Sequence, residues 1–204
     1  MTERTLSSRF LRHFVETIAN ELGQENFSIV LEKAGLPPDW SDPARWNTLD
    51  DVAAAETYAG LQKGMRTYYG RGARGILIRV GGNLWKRLLD DAPVALKAQS
   101  KFLFGLPVNA RRKSALELLA KLLSNRRGDV TVHTLDLDLL LADKASPGTL
   151  GQNESECICY VSLGLLRECL YWATGQEHDI EETSCRANSG EACEFKIAIG
   201  GQLS

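Results

Sequence analysis

No run of about eighteen apolar residues occurs in this 204-residue chain, so no membrane-spanning helix is expected. The opening MTERTLSSRF has no apolar signal-peptide core. Charge of one sign is scarce: 24 Lys and Arg stand against 26 Asp and Glu, a net −2 with pI about 6.0. That removes the electrostatic case for nucleic acid or an anionic membrane as partner. Histidine is rare, and His13, His133 and His178 are scattered, so no nucleophile–base pair is visible. No nicotinamide or flavin fingerprint is evident. GRGARG, at 70–75, follows a helical pattern rather than a strand, so it reads as a helix stop and a turn. Repeats, low-complexity tracts and linkers are missing. The five cysteines are an odd number, which argues for a reducing cytosol over a disulfide framework; a cytoplasmic location is expected.

Hydrophobic residues make up 44% of the chain, enough for one core, and the length favours a single domain over 1–204. Residues 4–22 read as an amphipathic helix, with Leu6, Phe10, Phe14, Ile18 and Leu22 in one stripe and Gly23 as its stop. The stripe suits either the chain's own core or a second subunit. A short helix, FSIVLEKA, ends at Gly35. A loop with exposed-looking Trp40 and Trp46 follows. Thr48 then caps a helix to Tyr69, whose buried face would hold Val52, Ala55, Tyr58, Ala59, Met65 and Tyr68. Gly81 and Gly82 are expected to break the chain before NLWKRLLDD. Helices over 93–104 and 108–126 follow. The basic pairs Arg111–Arg112 and Arg126–Arg127 near the ends of the second read as a solvated face. After Gly128 the period becomes two. Val130 and Val132 lie on one phase, and Leu135, Leu137, Leu139 and Leu141 on the other, which predicts a strand with a β-bulge at His133–Thr134. A helix after Cys159 and strands near HDIEET and CEFKIAI complete an α+β fold, with helices packed on a small antiparallel sheet.

The chemistry is concentrated between Cys159 and Cys193. Cys185 and Cys193 flank RANSGEA, whose Asn, Ser and Gly favour a tight turn, and Glu182 lies three residues before Cys185. Cys159 arrives from a separate element. Three thiolates and a carboxylate can make a closed tetrahedral zinc site. The plainer alternative is that these cysteines are small buried hydrophobes. Cys157 or Cys169 could replace Cys159, although Cys169, in LLRECLYW, reads as packing.

The last third of the chain resembles the 4-vinyl reductase domain, a small-molecule-binding module. The resemblance rests on an ordered pattern. Cys159 is followed by Gly164, a helix, a turn at Gly175 and a strand. E-x-x-C-x7-C at Glu182, Cys185 and Cys193 comes next, with Phe195 and Ile197 beyond. YYGRGARGILIRVGG looks loosely like stand-alone members. In phenol-sensing regulators with this domain, zinc is bound by Cys, Glu, Cys and Cys at what looks like the same spacing. The resemblance thus implies structural zinc on Cys159, Glu182, Cys185 and Cys193. Glu168 departs from the small residue those regulators carry, so packing near the pocket is expected to differ.

The resemblance also implies a fold shared with heme-based nitric-oxide sensors and vesicle-tethering subunits, and a homodimer. Residues 1–47 would be an N-terminal helical extension and possible dimerisation element, and 128–204 the strand-rich part carrying the zinc motif. Candidate pocket walls for a small apolar or aromatic ligand are Trp85, Phe102, Phe104, Leu137, Leu139 and Trp172. Heme held through His133 or His178 is a further option. The expected function is a sensor or carrier of a small hydrophobic molecule that passes its output to a separate regulatory partner. The alternative is an enzyme or accessory protein of (bacterio)chlorophyll tetrapyrrole biosynthesis.

Overall fold

The computed structural model describes residues 4–199; residues 1–3 and 200–204 of the expected domain lie outside the described residues. Ser7 opens α1 (Ser8–Lys33), its hydroxyl accepting the Phe10 N–H at 3.2 Å. Gly23, at φ 74°, kinks this helix where the sequence predicts a stop. The apolar stripe of α1 is spent inside the chain. Phe10 and Phe14 meet the Tyr58 ring edge-on, at 5.6 and 4.5 Å. Trp46 is fully buried and packs edge-on against Trp40, so the expected exposed loop is instead a docked one.

Tyr58 belongs to α2 (Asp51–Tyr69). Its cap is Asp50, which accepts the Val52 and Ala53 N–H groups, and not Thr48, whose hydroxyl donates to Arg45 O. Within the predicted buried face, Ala55, Tyr58, Ala59 and Met65 are buried, while Val52 and Tyr68 are exposed. α3 (Ala73–Asp90) runs unbroken through Gly81 and Gly82, against expectation. The reason is α6 (Tyr160–Thr174), which crosses α3 at Gly81 and Gly164. A Cβ on Gly81 would lie 2.1 Å from Val161 O, and one on Gly164 would lie 2.0 Å from Ile78 O. Glycine in a helix costs about 1 kcal/mol relative to Ala. Here that cost is offset by backbone-to-backbone contact that no larger residue permits. α4 (Val94–Leu103) and α5 (Val108–Leu123) each start directly after a proline, Pro93 and Pro107, as fixed φ at a helix entrance allows.

β1 (Val130–Leu135) and β2 (Asp138–Asp143) form a hairpin in unbroken register, Val130↔Asp143 to Leu135↔Asp138. The predicted bulge at His133–Thr134 is therefore corrected. The phase change comes from a two-residue turn, Asp136–Leu137, with Asp136 at φ 40°. Pairing puts Val130, Val132, Leu139 and Leu141 on one face. β3 (Ile180–Ser184) and β4 (Cys193–Ile197) complete a four-stranded antiparallel sheet in the order β1-β2-β4-β3. β4 alternates Cys193, Phe195 and Ile197 inward, opposite Asp143, Leu141 and Leu139. The sheet's register shift lies in β3, between Glu182 and Ser184. The expected α+β architecture is what the chain adopts: six helices and four strands among the described residues, sharing one core.

Candidate metal centre

Three elements meet at one corner. Cys159 is the N-cap of α6, Cys193 begins β4, and Cys185 follows β3. Glu182 pairs with Phe195 and so shares the inner face of the sheet; the bulge just after it lets the strand turn toward Cys185. The loop from Cys185 back to Cys193 is the tight turn expected of RANSGEA. Asn188 and Gly190 N–H both donate to Cys185 O, at 3.0 and 2.9 Å. Ser189 takes the positive φ, at 59°, while Gly190 is needed for close approach: a Cβ there would be 2.5 Å from Ser184 Oγ.

The Sγ atoms of Cys159 and Cys193 are 3.3 Å apart, Cys159 and Cys185 3.8 Å, and Cys185 and Cys193 3.9 Å. A disulfide would need about 2.05 Å, and the thiols are free. Metal–sulfur bonds of about 2.3 Å in a tetrahedron give sulfur–sulfur edges of about 3.8 Å. Together with a Glu182 oxygen, the four ligand atoms all lie within 4.8 Å of one another. Glu182 Oε2 accepts the Cys159 N–H at 3.0 Å. Its Oε1 is buried without a partner. A buried carboxylate oxygen left unpaired is costly, and a cation would satisfy it. Ser146 Oγ lies 3.1 Å from Cys193 Sγ, and Arg186 N–H donates to the same sulfur at 3.4 Å. These are the kind of outer partners that orient metal ligands.

Electrostatics agree with the geometry. Hydrogen bonds from Cys159 and Cys193 hold the Cys185 thiol far below its ordinary range. The same contacts with Cys185 and Cys193, and then burial, push Cys159 well above it. Cys193 is pushed up to about 12; the hydrogen bond with Cys159 pulls it down, and is outweighed by the hydrogen bond with Cys185 and by burial. Burial, and then the Cys185 charge, push Glu182 up to about 8. One negative charge suppresses the rest, as expected of clustered acids without a cation.

Cys157 stands outside this quartet. It is half-buried, and burial followed by the charges of Glu182 and Cys185 pushes its thiol up to about 11. Cys169 packs in the core, its Sγ 3.4 Å from Ala115 O. Of the pocket candidates, Trp85, Trp172 and Phe104 form one edge-on chain of rings, at 5.4 and 5.1 Å. Leu139 is buried on the sheet's inner face. Phe102 and Leu137 face solvent, 79% and 76% exposed. None of the six lines the enclosed space beside Cys159. That space holds about 20 Å³, bordered by Tyr58, Gln62, Ser146 and Ser162. It suits one water.

Sequence reasoning missed Asp143 and Ser146. Asp143 Oδ1 accepts the Ala145 and Ser146 N–H groups, which brings Ser146 to the sulfurs. An Asp with Ser three residues on, before Pro-Gly, is the local signal of such a turn. That signal is masked because ADKASPGTLGQNES reads as a single polar loop.

No family model and no curated protein sequence matches this chain. Its fold is that of H-NOX domains. It is similar to an H-NOX protein from S. oneidensis in the Fe(II)NO ligation state at 12% identity and TM-score 0.59, covering 96% of this chain and 100% of that one. A second similar structure is the unliganded Fe(II) H-NOX protein from K. algicida, at 11% identity and TM-score 0.55, covering 98% and 99%. A third, described by its work on heme redox potential and porphyrin distortion, has 14% identity and TM-score 0.52, covering 95% and 99%.

These findings correct two expectations. Assignment to the 4-vinyl reductase family is overturned: no family model supports it, and the structures sharing the fold are H-NOX domains. Zinc as resident cofactor, read from the three thiolates and a carboxylate and implied again by that assignment, is corrected too: the neighbours are Fe(II) and heme proteins.

All three histidines, the residue type that most often holds heme iron, have another partner in this structure. His13 Nε2 is 2.9 Å from Asp91 Oδ2, and His133 is exposed and bonded to Thr131. His178 Nε2 accepts from Arg112, beside an open groove lined by Arg167, Glu168 and Glu177. What the chain itself supplies is a thiol–carboxylate corner on an H-NOX scaffold.

Proposed function

We propose that this protein is a ligand-responsive domain in which Cys159, Glu182, Cys185 and Cys193 hold a thiophilic divalent cation. The observation that carries the reading is the unpartnered, buried Glu182 Oε1 beside three sulfurs, two of whose spacings, 3.8 and 3.9 Å, match a tetrahedral edge while the third, 3.3 Å, is shorter. Four protein ligands close the coordination sphere, so the cation has no open position for catalysis. Its work is mechanical: it ties the start of α6 to the β3–β4 hairpin, and binding energy becomes folding energy. The sensory part of the reading leans on the scaffold. The S. oneidensis neighbour takes NO at Fe(II), and another similar structure concerns H-NOX activation. Residues 4–199 serve as one such domain, because helices and sheet share a single core.

The test is titration of the reduced protein with cobalt(II). One equivalent should produce intense thiolate-to-cobalt bands and the visible spectrum of a tetrahedral ion. Glu182→Gln should weaken binding and Cys185→Ser should remove the bands. Cobalt bound without thiolate bands, or not bound at all, overturns the reading. Added hemin should give no saturable Soret shift.

A further inference from the structure

A groove of about 680 Å³ opens on the far side of Cys159, between the end of α2, the start of α3 and the segment 154–158. That volume matches a small-molecule site. Four cations line it, Lys63, Arg66, Arg71 and Arg74, against two carboxylates, Glu154 and Glu156. Among the described residues, Lys63, Arg71 and Arg74 form no ion pair. Arg74 lies over the Tyr160 ring at 5.9 Å. Arg66 is the pivot. Its Nη2 donates to Gln152 Oε1 at 2.7 Å and Glu154 Oε1 at 3.2 Å, while its Nη1 is buried with no partner. A surplus of positive charge around an unused guanidinium donor is what a bidentate oxyanion would satisfy.

We propose that this groove binds a small molecule carrying a multiply charged oxyanion, phosphate or polycarboxylate, and that it is the effector site of the domain. The effector role rests on the sensor reading above; the binding itself does not. The wiring to the sulfur corner is short. Glu154 N–H donates to Ala187 O at 2.8 Å, and Asn188 Nδ2 donates to Ser155 O at 3.1 Å. Ala187 and Asn188 sit in the loop between Cys185 and Cys193. Ile158 and Tyr160, which line the groove, flank Cys159. An oxyanion on Arg66 competes with Glu154 for the guanidinium, and so acts on a segment that runs into Cys159 and is hydrogen-bonded to the loop between Cys185 and Cys193.

Calorimetry on the full, reduced chain tests the site, with pyrophosphate and citrate as separate probes. Saturable one-to-one binding that weakens with added salt is expected. Whichever probe binds more tightly identifies the oxyanion class. Arg66→Gln and Arg74→Gln should each weaken it about tenfold. Arg87→Gln, whose parent side chain pairs with Glu16 elsewhere, should leave it unchanged. No saturable heat with either probe, or variants that bind like the parent, overturns the site. Amide exchange on the metal-free protein tests the wiring. Saturating probe should slow exchange in both 152–160 and 185–193. Protection confined to 152–160 overturns the effector role. Failure of cobalt binding would sink the metal reading alone, because neither measurement here uses a metal.

Discussion

α6 is fastened at two places, and the two work in opposite ways. Midway along, at Gly164, it meets α3 with nothing between the backbones, and the junction is held by shape. At its start, at Cys159, it meets the sheet through three sulfurs and a carboxylate, and that junction is left electrostatically incomplete. The first needs no ligand and tolerates no added atom. On the reading proposed above, the second tolerates its gap because a cation can fill it. One end of the helix is thus stable by construction, and the other is stable on condition.

The sharpest way to break this contrast is to remove the condition. Cobalt at a thousandfold excess over its dissociation constant should stabilise the protein by about 4 kcal/mol. Cys185→Ser should abolish that gain in urea unfolding, while chelator-treated parent and variant unfold alike. The shape-held junction should respond to volume and not to metal. Gly164→Ala forces a Cβ to within 2.0 Å of Ile78 O, and a loss of about 3 kcal/mol is expected, with and without cobalt. A loss that cobalt restores would show that the two junctions are not distinct.

A third test concerns Asp143, whose buried carboxyl carries the turn that delivers Ser146. Burial raises it from 3.8 to about 6, against the pull of the Ser146 and Ala145 N–H groups. The folded state therefore binds the extra proton between these values, and the stability it supplies at low pH is lost as pH rises through 6. Asp143→Asn keeps an acceptor and removes the titration. Its stability relative to the parent should rise by at most about 3 kcal/mol between pH 4 and pH 7. A flat difference across that range would place the carboxyl in contact with water. The smallest effect belongs to Cys157→Ser. Although adjacent to the cluster, it should leave the cobalt spectrum unchanged and stability within about 0.5 kcal/mol.

The same contrast shows what could be read in the residues. Glu182, Cys185 and Cys193 lie within twelve positions, on strands and a turn whose chemistry is local, so their proximity was legible. The α+β order was legible too, because the hydrophobic period changes from helical to alternating after Gly128. Gly81 and Gly82 misled, because a glycine that breaks a helix and one that admits a neighbour look alike until the neighbour is known. Asp136–Leu137 is not a strong turn pair, so two strands read as one with a bulge. The candidate pocket rested on aromatics that pack on one another or face solvent, since sequence does not say which of two apolar surfaces meet. The family assignment leaned on a pattern of about forty residues centred on the cysteines, and such a pattern fixes a local cluster rather than an ancestry.

The glycine crossing also limits how α6 can travel. With Gly81 and Gly164 in backbone contact, no layer of side chains lies between the two helices to absorb a change in their spacing. On the proposed wiring, a shift at the sulfur end of α6 would reach the arginine-bearing start of α3 through that crossing, as in a pair of scissors joined at the rivet. Two glycines with no chemistry of their own would then set the gearing between the proposed oxyanion groove and the buried sulfur corner.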